Sequence, residues 1–315
     1  SVNGTGKQAL QEGDSLAVLT WNIGYGALGD NADFFMDGGS MVNTADEERV
    51  QENMTAVNEE IADLTPDVVF LQEVDRDAKR SHYINEQELI RDAQSGYCDT
   101  FANNFKVCYV PYPLPTIGKV DSGILTLSKY DVTDTRRFAL PCPFSYPVRT
   151  ANLKRCLMID RIPIEGSDKE LVLVNLHLEA YDDGEGKEKQ TKMLQEILQM
   201  EVDDGNYVIA GGDFNQVFSR VDTSAYPLIS EDLWQPGEID TDLFGDDLNF
   251  ETDNRVPSCR SLDQPYEGAD HEKFQYYLID GFIVSSNVTV ESVETQNLAF
   301  KNADHNPILM KVKLN

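Results

Sequence analysis

The stretch Val68-Val69-Phe70-Leu71-Gln72-Glu73-Val74 decides the fold. It is a run of apolar and β-branched residues that meets an amide and a carboxylate where the run ends. Apolar, β-branched runs of this length are typical of buried strands. The stretch therefore predicts a strand that presents Glu73 at one rim of a sheet.

Four other segments follow the same rule, because each also ends an apolar run with a carboxylate, an amide or an imidazole. They are Thr20-Trp21-Asn22-Ile23, Asn175-Leu176-His177-Leu178, Gly212-Asp213-Phe214-Asn215 and Ala303-Asp304-His305-Asn306. Together with the first stretch they predict several polar groups gathered at the rims of the sheets.

Apolar periodicity extends this pattern along the chain. Strands are predicted over residues 16–23, 68–74, 123–128, 171–178, 207–211, 276–285, 289–294 and 308–314, with mostly short strands from 101 to 164. Helices are predicted over about 50–64, 85–94 and 187–202, the first preceded by a Thr44/Glu47 capping box. Loops are predicted over 24–40 and 216–273. Mixed strands with outer helices predict two packed sheets flanked by helices.

Composition sets broad limits on the class of protein. The 315 residues contain no internal repeat or linker, so we predict a flexible tail over 1–14 and a single domain over 15–315. The formal net charge is −29. Such a charge repels polyanions at long range, which disfavours non-specific nucleic-acid binding.

The five cysteines are odd in number and show no CxxC spacing, so ordinary core cysteines are the preferred interpretation. A Cys98–Cys108 bridge across a strand pair would be a weak sign of secretion. On that basis, and because residues 2–13 form a polar tail, we expect an extracellular or cell-surface protein. No apolar run reaches membrane-spanning length. We expect a monomer.

Taken in order, the five segments resemble the endonuclease/exonuclease/phosphatase family, the DNase I-like metal-dependent phosphoester hydrolases. The resemblance runs from about Leu16 to Leu314. It implies an α/β protein with a four-layer α/β/β/α sandwich. It also implies a metal site in which Glu73 is the principal ligand, with Asn22 beside it and Asp304 nearby. Oxygen ligands of this kind suit Mg²⁺, with Mn²⁺ or Ca²⁺ as alternatives.

The same resemblance assigns the catalytic groups. Asp213 would orient or deprotonate the attacking water, and Asn215 would hold the phosphate. His305 matches the catalytic histidine, as a base or a protonated donor, with Asp280 orienting it. His177 matches a second histidine that would donate to a non-bridging phosphate oxygen. The residue that orients His177 is not identified.

Each segment taken alone has an ordinary structural explanation. A Gly-Asp-x-Asn turn is common, a strand histidine is usually part of the core, and Asp-His before a strand is often a cap. The chain also departs from the family pattern, with Asp121-Ser122 before Gly123 and Ala303 before Asp304. Only the ordered set of five carries the resemblance.

Three functions follow from these residues. The preferred one is a divalent-metal-dependent hydrolase of a small or lipid-linked phosphomonoester or phosphodiester. The alternative is a DNA or RNA endonuclease on the same scaffold, so nucleic acid is a less favoured partner than a compact phosphoester. A non-catalytic binding module is the third, and it is disfavoured because every matched metal and acid–base residue is present.

Overall fold

The computed structural model describes residues 2–6, 8–143, 153–182 and 184–315. Its strands are β1 (Val2–Asn3), β2 (Ser15–Asn22), β3 (Val68–Asp75), β4 (Cys98–Val110), β5 (Gly118–Ser128), β6 (Asp134–Ala139), β7 (Cys156–Pro163), β8 (Glu170–His177), β9 (Tyr207–Asp213), β10 (Gln216–Phe218), β11 (Gly237–Ile239), β12 (Leu248–Glu251), β13 (Cys259–Arg260), β14 (Tyr276–Tyr277), β15 (Asp280–Ser285), β16 (Val288–Thr295) and β17 (Ile308–Leu314). Its α-helices are α1 (Glu47–Leu64), α2 (Glu86–Ala93) and α3 (Glu185–Asp203).

The strands form two large sheets. One has the order β1-β4-β5-β3-β2-β17-β16 and the other has the order β12-β15-β9-β8-β7-β6. Within these sheets β2 runs parallel to β3 and β8 runs parallel to β9, whereas the other neighbours are antiparallel. The parallel pairs place the carboxyl ends of four strands at one end of the sandwich.

Alternation along the strands divides the apolar residues between two cores. Val68 and Phe70 point between the sheets, where they meet Leu173, Ile209 and other residues of the second sheet. Their neighbours in β3 point outward to a second core beneath α1 and α2, and a third core lies between the second sheet and α3. This arrangement confirms the predicted four-layer α/β/β/α sandwich.

Two buried amides join the sheets near the end that carries the polar residues. Gln72 Nε2 donates to Asn175 Oδ1 at 2.9 Å, and Asn175 Nδ2 donates to the carbonyl of Leu125 at 2.9 Å. Both amide side chains are fully buried. Buried polar groups that satisfy one another fix the relative position of the elements that carry them.

The prediction of a flexible tail over 1–14 is wrong for the described part of that segment. Val2 and Asn3 pair with β4, and Leu10 is 1% exposed within the core between the sheets. Isolated apolar residues in a polar segment are enough to dock it when an open sheet edge and an apolar gap are available.

The region predicted to hold short strands instead begins with two long ones, β4 and β5. Cys98 and Cys108 both lie in β4, about 33 Å apart along an extended strand at ~3.3 Å per residue, so they cannot form the suggested bridge. Cys98, Cys108, Cys156 and Cys259 are free cysteines. The part of this prediction that covers 144–152 lies outside the described residues, and the extracellular location stays a prediction.

The first helix begins differently from the prediction. Asp46, rather than Thr44, is the N-cap, and its side chain accepts a hydrogen bond from the backbone N–H of Arg49. The segment predicted as a loop over 216–273 contains the short strands β10 to β13 and two 3₁₀ turns, Thr241–Phe244 and His271–Lys273. No helix in the described ranges is long and apolar enough to cross a membrane.

Candidate active site

Strand register places three of the candidate residues side by side. His177 ends β8 opposite Asp213 of the parallel strand β9, and Asp213 lies opposite Asp280 of the antiparallel strand β15. His305 forms an isolated bridge with Cys259 at the same end of the sandwich. The register of the three strands therefore aligns His177, Asp213 and Asp280.

Backbone geometry next to Asp213 depends on glycine. Gly212 has φ +152°, and a Cβ there would lie 1.9 Å from the carbonyl oxygen of Leu176. A larger residue would therefore push β9 away from β8. Asn215, at φ +51°, donates its backbone N–H to Asp213 Oδ1 at 2.8 Å, which closes a tight turn around the carboxylate.

His305 is held at both its ring and its backbone. Its Nδ1 lies 2.8 Å from Asp280 Oδ2, the contact that the sequence predicted, and Trp21 Nε1 donates to its carbonyl at 2.9 Å. Burial alone would lower the pKa of His305, but the charges of Asp280 and Asp304 outweigh it and hold that pKa well above 6.5. The structure thus favours a protonated imidazole at neutral pH.

Asp213 lies at the centre of the site. Its Oδ2 accepts from Asn22 Nδ2 at 3.0 Å and lies 3.3 Å from His177 Nε2 and 3.8 Å from His305 Nε2. Burial, followed by the charge of Asp280, raises the pKa of Asp213 to about 7. A carboxylate with a pKa near neutrality is suited to accept a proton during a reaction and release it afterwards.

His177 behaves differently from His305. Burial and then the charge of Arg155 lower its pKa well below 6.5, so its imidazole is neutral at pH 7. Its Nδ1 is buried without a hydrogen-bond partner among the described residues. Among the carboxylates near its Nε2, Asp213 Oδ2 lies at 3.3 Å and Glu73 Oε1 at 4.0 Å.

Glu73 and Asp304 supply a pair of carboxylates with free oxygen atoms. The contact recorded for the Glu73 carboxylate within the described residues is His177 Nε2 at 4.0 Å, and Asp304 Oδ1 is buried without a partner there. A Cβ at Gly24, which adjoins Asn22, would lie 2.8 Å from Asp304 Oδ1. Burial, opposed by the charge of His305 and reinforced by the charge of Glu73, raises the pKa of Asp304 to about 6. These unpaired oxygens fit a hard divalent cation.

The backbone of Glu73 is strained, at φ +55° in a bulge of β3 between Leu71 and Val74. Bulges and left-handed residues often re-aim side chains at functional sites. This conformation turns the Glu73 carboxylate out of the strand's alternation and into the site.

Two other groups of side chains in the described residues are close enough to hold a metal ion: Cys259, Asp304 and His305, and Asp213, Asp280 and His305. His305 is common to both, and its Nδ1 is already bonded to Asp280. Burial raises the pKa of the Cys259 thiol to about 12, so it is not a thiolate ligand at neutral pH. Asp304 belongs to the first of these groups, and Glu73 belongs to neither.

Sequence reasoning missed Arg155. This side chain is 3% exposed, its Nε lies 4.0 Å from Glu179 Oε2, and both Nε and Nη1 lack hydrogen-bond partners among the described residues. It lines the same cavity as His177 and Asp213. The sequence feature that could have indicated Arg155 is the position of a charged residue directly before the apolar run of β7. Arg80, by contrast, is paired with Asp75 at 2.9 Å.

The candidate site residues other than Asp280 line one cavity of about 490 Å³, which lies at the end of the sandwich. The predicted residues in its lining are Asn22, Glu73, His177, Asp213, Asn215, Asp304 and His305. Asp280 lies behind His305. The two histidines and the three acids therefore converge on a space that a ligand can enter.

The family model described as the endonuclease/exonuclease/phosphatase family matches residues 19–299. The chain belongs to this family. That assignment confirms the resemblance and makes the protein a member of a group of phosphoester hydrolases that generally use divalent metals. No curated protein matches the sequence.

Solved structures of the endonuclease/exonuclease/phosphatase family are similar in fold. A family protein from Beutenbergia cavernae has a TM-score of 0.63 at 18% identity, covering 96% of this chain and 72% of that one. A second, from Bacteroides vulgatus, has a TM-score of 0.59 at 17% identity, covering 96% and 100%. The human Nocturnin catalytic domain with bound sulfate gives 0.58 at 17%, covering 98% and 96%. At these identities the likeness concerns the fold alone.

Proposed function

We propose that this family member hydrolyses a small or lipid-linked phosphoester with the aid of a divalent cation, Mg²⁺ by preference. The observation that carries the proposal is the convergence of Glu73 and Asp304 with Asp213 and His305 on one cavity. These residues offer free hard oxygens, a carboxyl with a pKa near neutrality and a charged imidazole. Phosphoester hydrolysis needs groups of these kinds.

Glu73 and Asp304 would hold the cation, with the Asn22 side chain beside them. The bound cation would neutralise charge on the phosphoryl oxygens. Asn22 Oδ1 already accepts from the Gly24 N–H at 3.1 Å and its Nδ2 donates to Asp213, so this amide is fixed in orientation. A fixed amide places its oxygen without further loss of side-chain freedom on binding.

Side chains of the protein would transfer the proton of the attacking water. In its ionised form Asp213 accepts a proton from the attacking water. His305, protonated and tied to Asp280, donates from Nε2 to a phosphate oxygen. The neutral His177 and the Asn215 amide lie on the other side of Asp213 and contribute further hydrogen bonds. Arg155 supplies a full positive charge, with two donors that have no partner within the described ranges, which suits a phosphate oxyanion.

The direct test is a panel of phosphoesters assayed with Mg²⁺ and again with excess chelator. Suitable members are an artificial diester, inositol phosphates, sphingomyelin, RNA and supercoiled plasmid. We expect turnover of at least one small or lipid phosphoester, its loss in chelator, and its loss in Glu73→Gln. Undiminished turnover in chelator contradicts the metal assignment. Efficient plasmid nicking without turnover of any small ester would make the protein a nuclease.

A further inference from the structure

The cavity is much larger than a phosphate group needs. Its volume of about 490 Å³ lies within the ~300–1,000 Å³ range of ordinary ligand pockets. The polar residues of the site form one part of its lining. The rest of the lining is mostly apolar and aromatic, and much of it comes from loops, together with Phe105 and Val110 of β4 and Tyr277 of β14.

One apolar wall comes from the loop that follows β2. It presents Tyr25, Phe34, Phe35 and Val42 to the cavity. The Phe34 N–H donates to the carbonyl of Leu262 at 2.7 Å, which fastens this loop to the segment on the other side. This wall is therefore built into the fold.

The facing wall contains two aromatic rings held by hydrogen bonds. Trp234 Nε1 donates to the carbonyl of Ala180 at 3.1 Å, and the Tyr277 hydroxyl donates to the carbonyl of Trp234 at 2.8 Å. The two rings meet edge to face at 5.2 Å between centroids. Rings fixed in this way lose little freedom when a ligand packs on them, so they form a ready binding surface.

The described lining carries three arginines beside the protonated His305. They are Arg80, Arg155 and Arg260. Arg80 is bonded to Asp75 and stacks over the Tyr25 ring at 3.6 Å, while Arg260 donates to backbone carbonyls, including that of Gly29 at 2.8 Å. Arg155 Nε and Nη1 have no hydrogen-bond partner among the described residues. Within that part of the chain, one available guanidinium does not provide the basic track that a polyanionic strand requires.

We infer that the cavity binds a phosphoester whose alcohol part is apolar, a ring or a short alkyl chain, with that part packed between the Trp234 and Phe34 walls. The inference rests on the proposed hydrolase function. The same chemistry exists in soluble aryl or alkyl esters and in the apolar portion of a lipid. Each buried methylene contributes roughly 0.8 kcal/mol, so a longer apolar group should bind markedly better.

The test compares ethyl, hexyl and 2-phenylethyl phosphate, and the methyl diester of each. These alcohols are all primary, so leaving-group chemistry changes little while apolar area grows. We expect kcat/KM to rise at least tenfold from ethyl to hexyl and to 2-phenylethyl, mainly through KM. Equal values across the series would overturn the inference.

Binding of ethylphosphonate and hexylphosphonate, measured by calorimetry, separates this inference from the proposed function. A protein that cleaves no ester but binds hexylphosphonate at least tenfold more tightly supports the pocket and contradicts the hydrolase. Equal affinities contradict the pocket whatever the activity.

Variants test which residues cause the preference for a larger apolar group. Trp234→Ala should remove most of the preference for hexyl over ethyl. Tyr112→Ala provides a second variant that folding does not constrain, because Tyr112 lines the cavity mouth and is 73% exposed. Leu243→Ala is the matched control, since Leu243 is 66% exposed and lies outside the lining. Retention of the full preference in both cavity variants counts against the inference.

A final arm distinguishes the two sources of the apolar group. A short-chain lysophospholipid is assayed below and above its critical micelle concentration. Turnover of the monomer indicates a soluble ester, and turnover that begins only with micelles indicates a lipid aggregate. Cleavage of the soluble headgroup phosphoester as fast as the lysophospholipid in both states contradicts the need for an apolar group.

Discussion

Gln72 Nε2 and Asn175 Oδ1 are joined by a 2.9 Å hydrogen bond across the interior between the two sheets. Gln72 precedes Glu73 in β3, and Asn175 precedes His177 by two residues in β8. One buried bond therefore connects the strand that carries the proposed metal ligand to the strand that carries a candidate catalytic histidine.

Asn175→Leu should lower the free energy of unfolding by about 1–3 kcal/mol, because it leaves the Gln72 amide and the carbonyl of Leu125 without their buried partner. Denaturant unfolding measures this change, and kcat should fall with it because the sheets carry different halves of the site. Asn249→Leu, at an exposed position of β12, is the control. An unchanged midpoint for Asn175→Leu would show that the amides do not hold the sheets together.

Glu73→Gly should abolish turnover and yet stabilise the fold. Glu73 has φ +55°, a conformation that costs a side-chain-bearing residue about 1–2 kcal/mol and glycine almost nothing. We expect a gain of about 1 kcal/mol in chelator. Thr65→Gly is the matched control, since Thr65 has φ +49° at the end of α1, far from the chemistry, and should gain stability with full activity. Loss of stability in Glu73→Gly alone refutes the strain argument.

Asp37 should make stability depend on pH. Burial raises its folded-state pKa from 3.8 to about 7. The hydrogen bond that the Tyr181 hydroxyl donates to Asp37 at 2.9 Å lowers this pKa and so opposes the effect of burial. Because the pKa of Asp37 is higher in the folded protein than in the unfolded chain, its contribution to stability is fully present below the unfolded pKa. This contribution is lost as pH rises from about 4 to 7. Asp37→Asn should flatten that part of the pH profile of the thermal midpoint. Tyr181→Phe should raise the pKa of Asp37 further, so the decrease in the thermal midpoint should continue to higher pH. Identical profiles for Asp37→Asn and wild type exclude Asp37 as the cause.

Arg155→Met should weaken phosphate binding. Hydrogen bonds to charged groups contribute about 1.5–3 kcal/mol, so the inhibition constant of inorganic phosphate should rise roughly 10- to 100-fold. The thermal midpoint should fall as well, because the buried Glu179 carboxylate, 4.0 Å from Arg155 Nε, loses its ion-pair partner. Arg136→Met, on a side chain 64% exposed in the edge strand β6, should change neither quantity. An unaltered inhibition constant would remove Arg155 from the site.

Asp280 and His305 should behave as one unit. Asp280→Asn and His305→Ala should each lower kcat by ~100- to 10,000-fold, the usual range for positioned proton transfer. The double variant should be little worse than His305→Ala, because residues that serve one step are not additive. Single-turnover rates measure the chemical step. Multiplicative losses in the double variant would mean that Asp280 acts independently of His305.

Much of the fold and of the site followed from short apolar runs that end in polar residues. Asp213 ends β9 and Glu73 lies in the bulge near the end of β3, close to where the pattern predicted them, because two-residue alternation and strand termination are local properties. His305 lies in the segment before β17. Their catalytic roles remain predictions. Register is not local: the alignment of His177, Asp213 and Asp280 required knowledge of strand pairing.

Other features could not be anticipated from local pattern. Arg155 became a candidate only once its burial and its unpaired nitrogens were known. Much of the apolar lining comes from loops, where the sequence has no periodicity that would predict it. Leu10 packs in a gap that only the assembled sheets define. The cysteine spacing misled because 98–110 is one strand rather than two.

The division of the cavity between strand ends and loops has an engineering consequence. Of the groups proposed to transfer the proton and hold the metal, Glu73, His177 and Asp213 belong to the sheets, whereas Phe34, Trp234 and Tyr112 lie on connections that the sheets tolerate in many sequences. Exchanging one such connection for a polar one of the same length leaves the strand pairing of His177 and Asp213 untouched. New substrate preferences should therefore be selectable from loop libraries on an invariant scaffold.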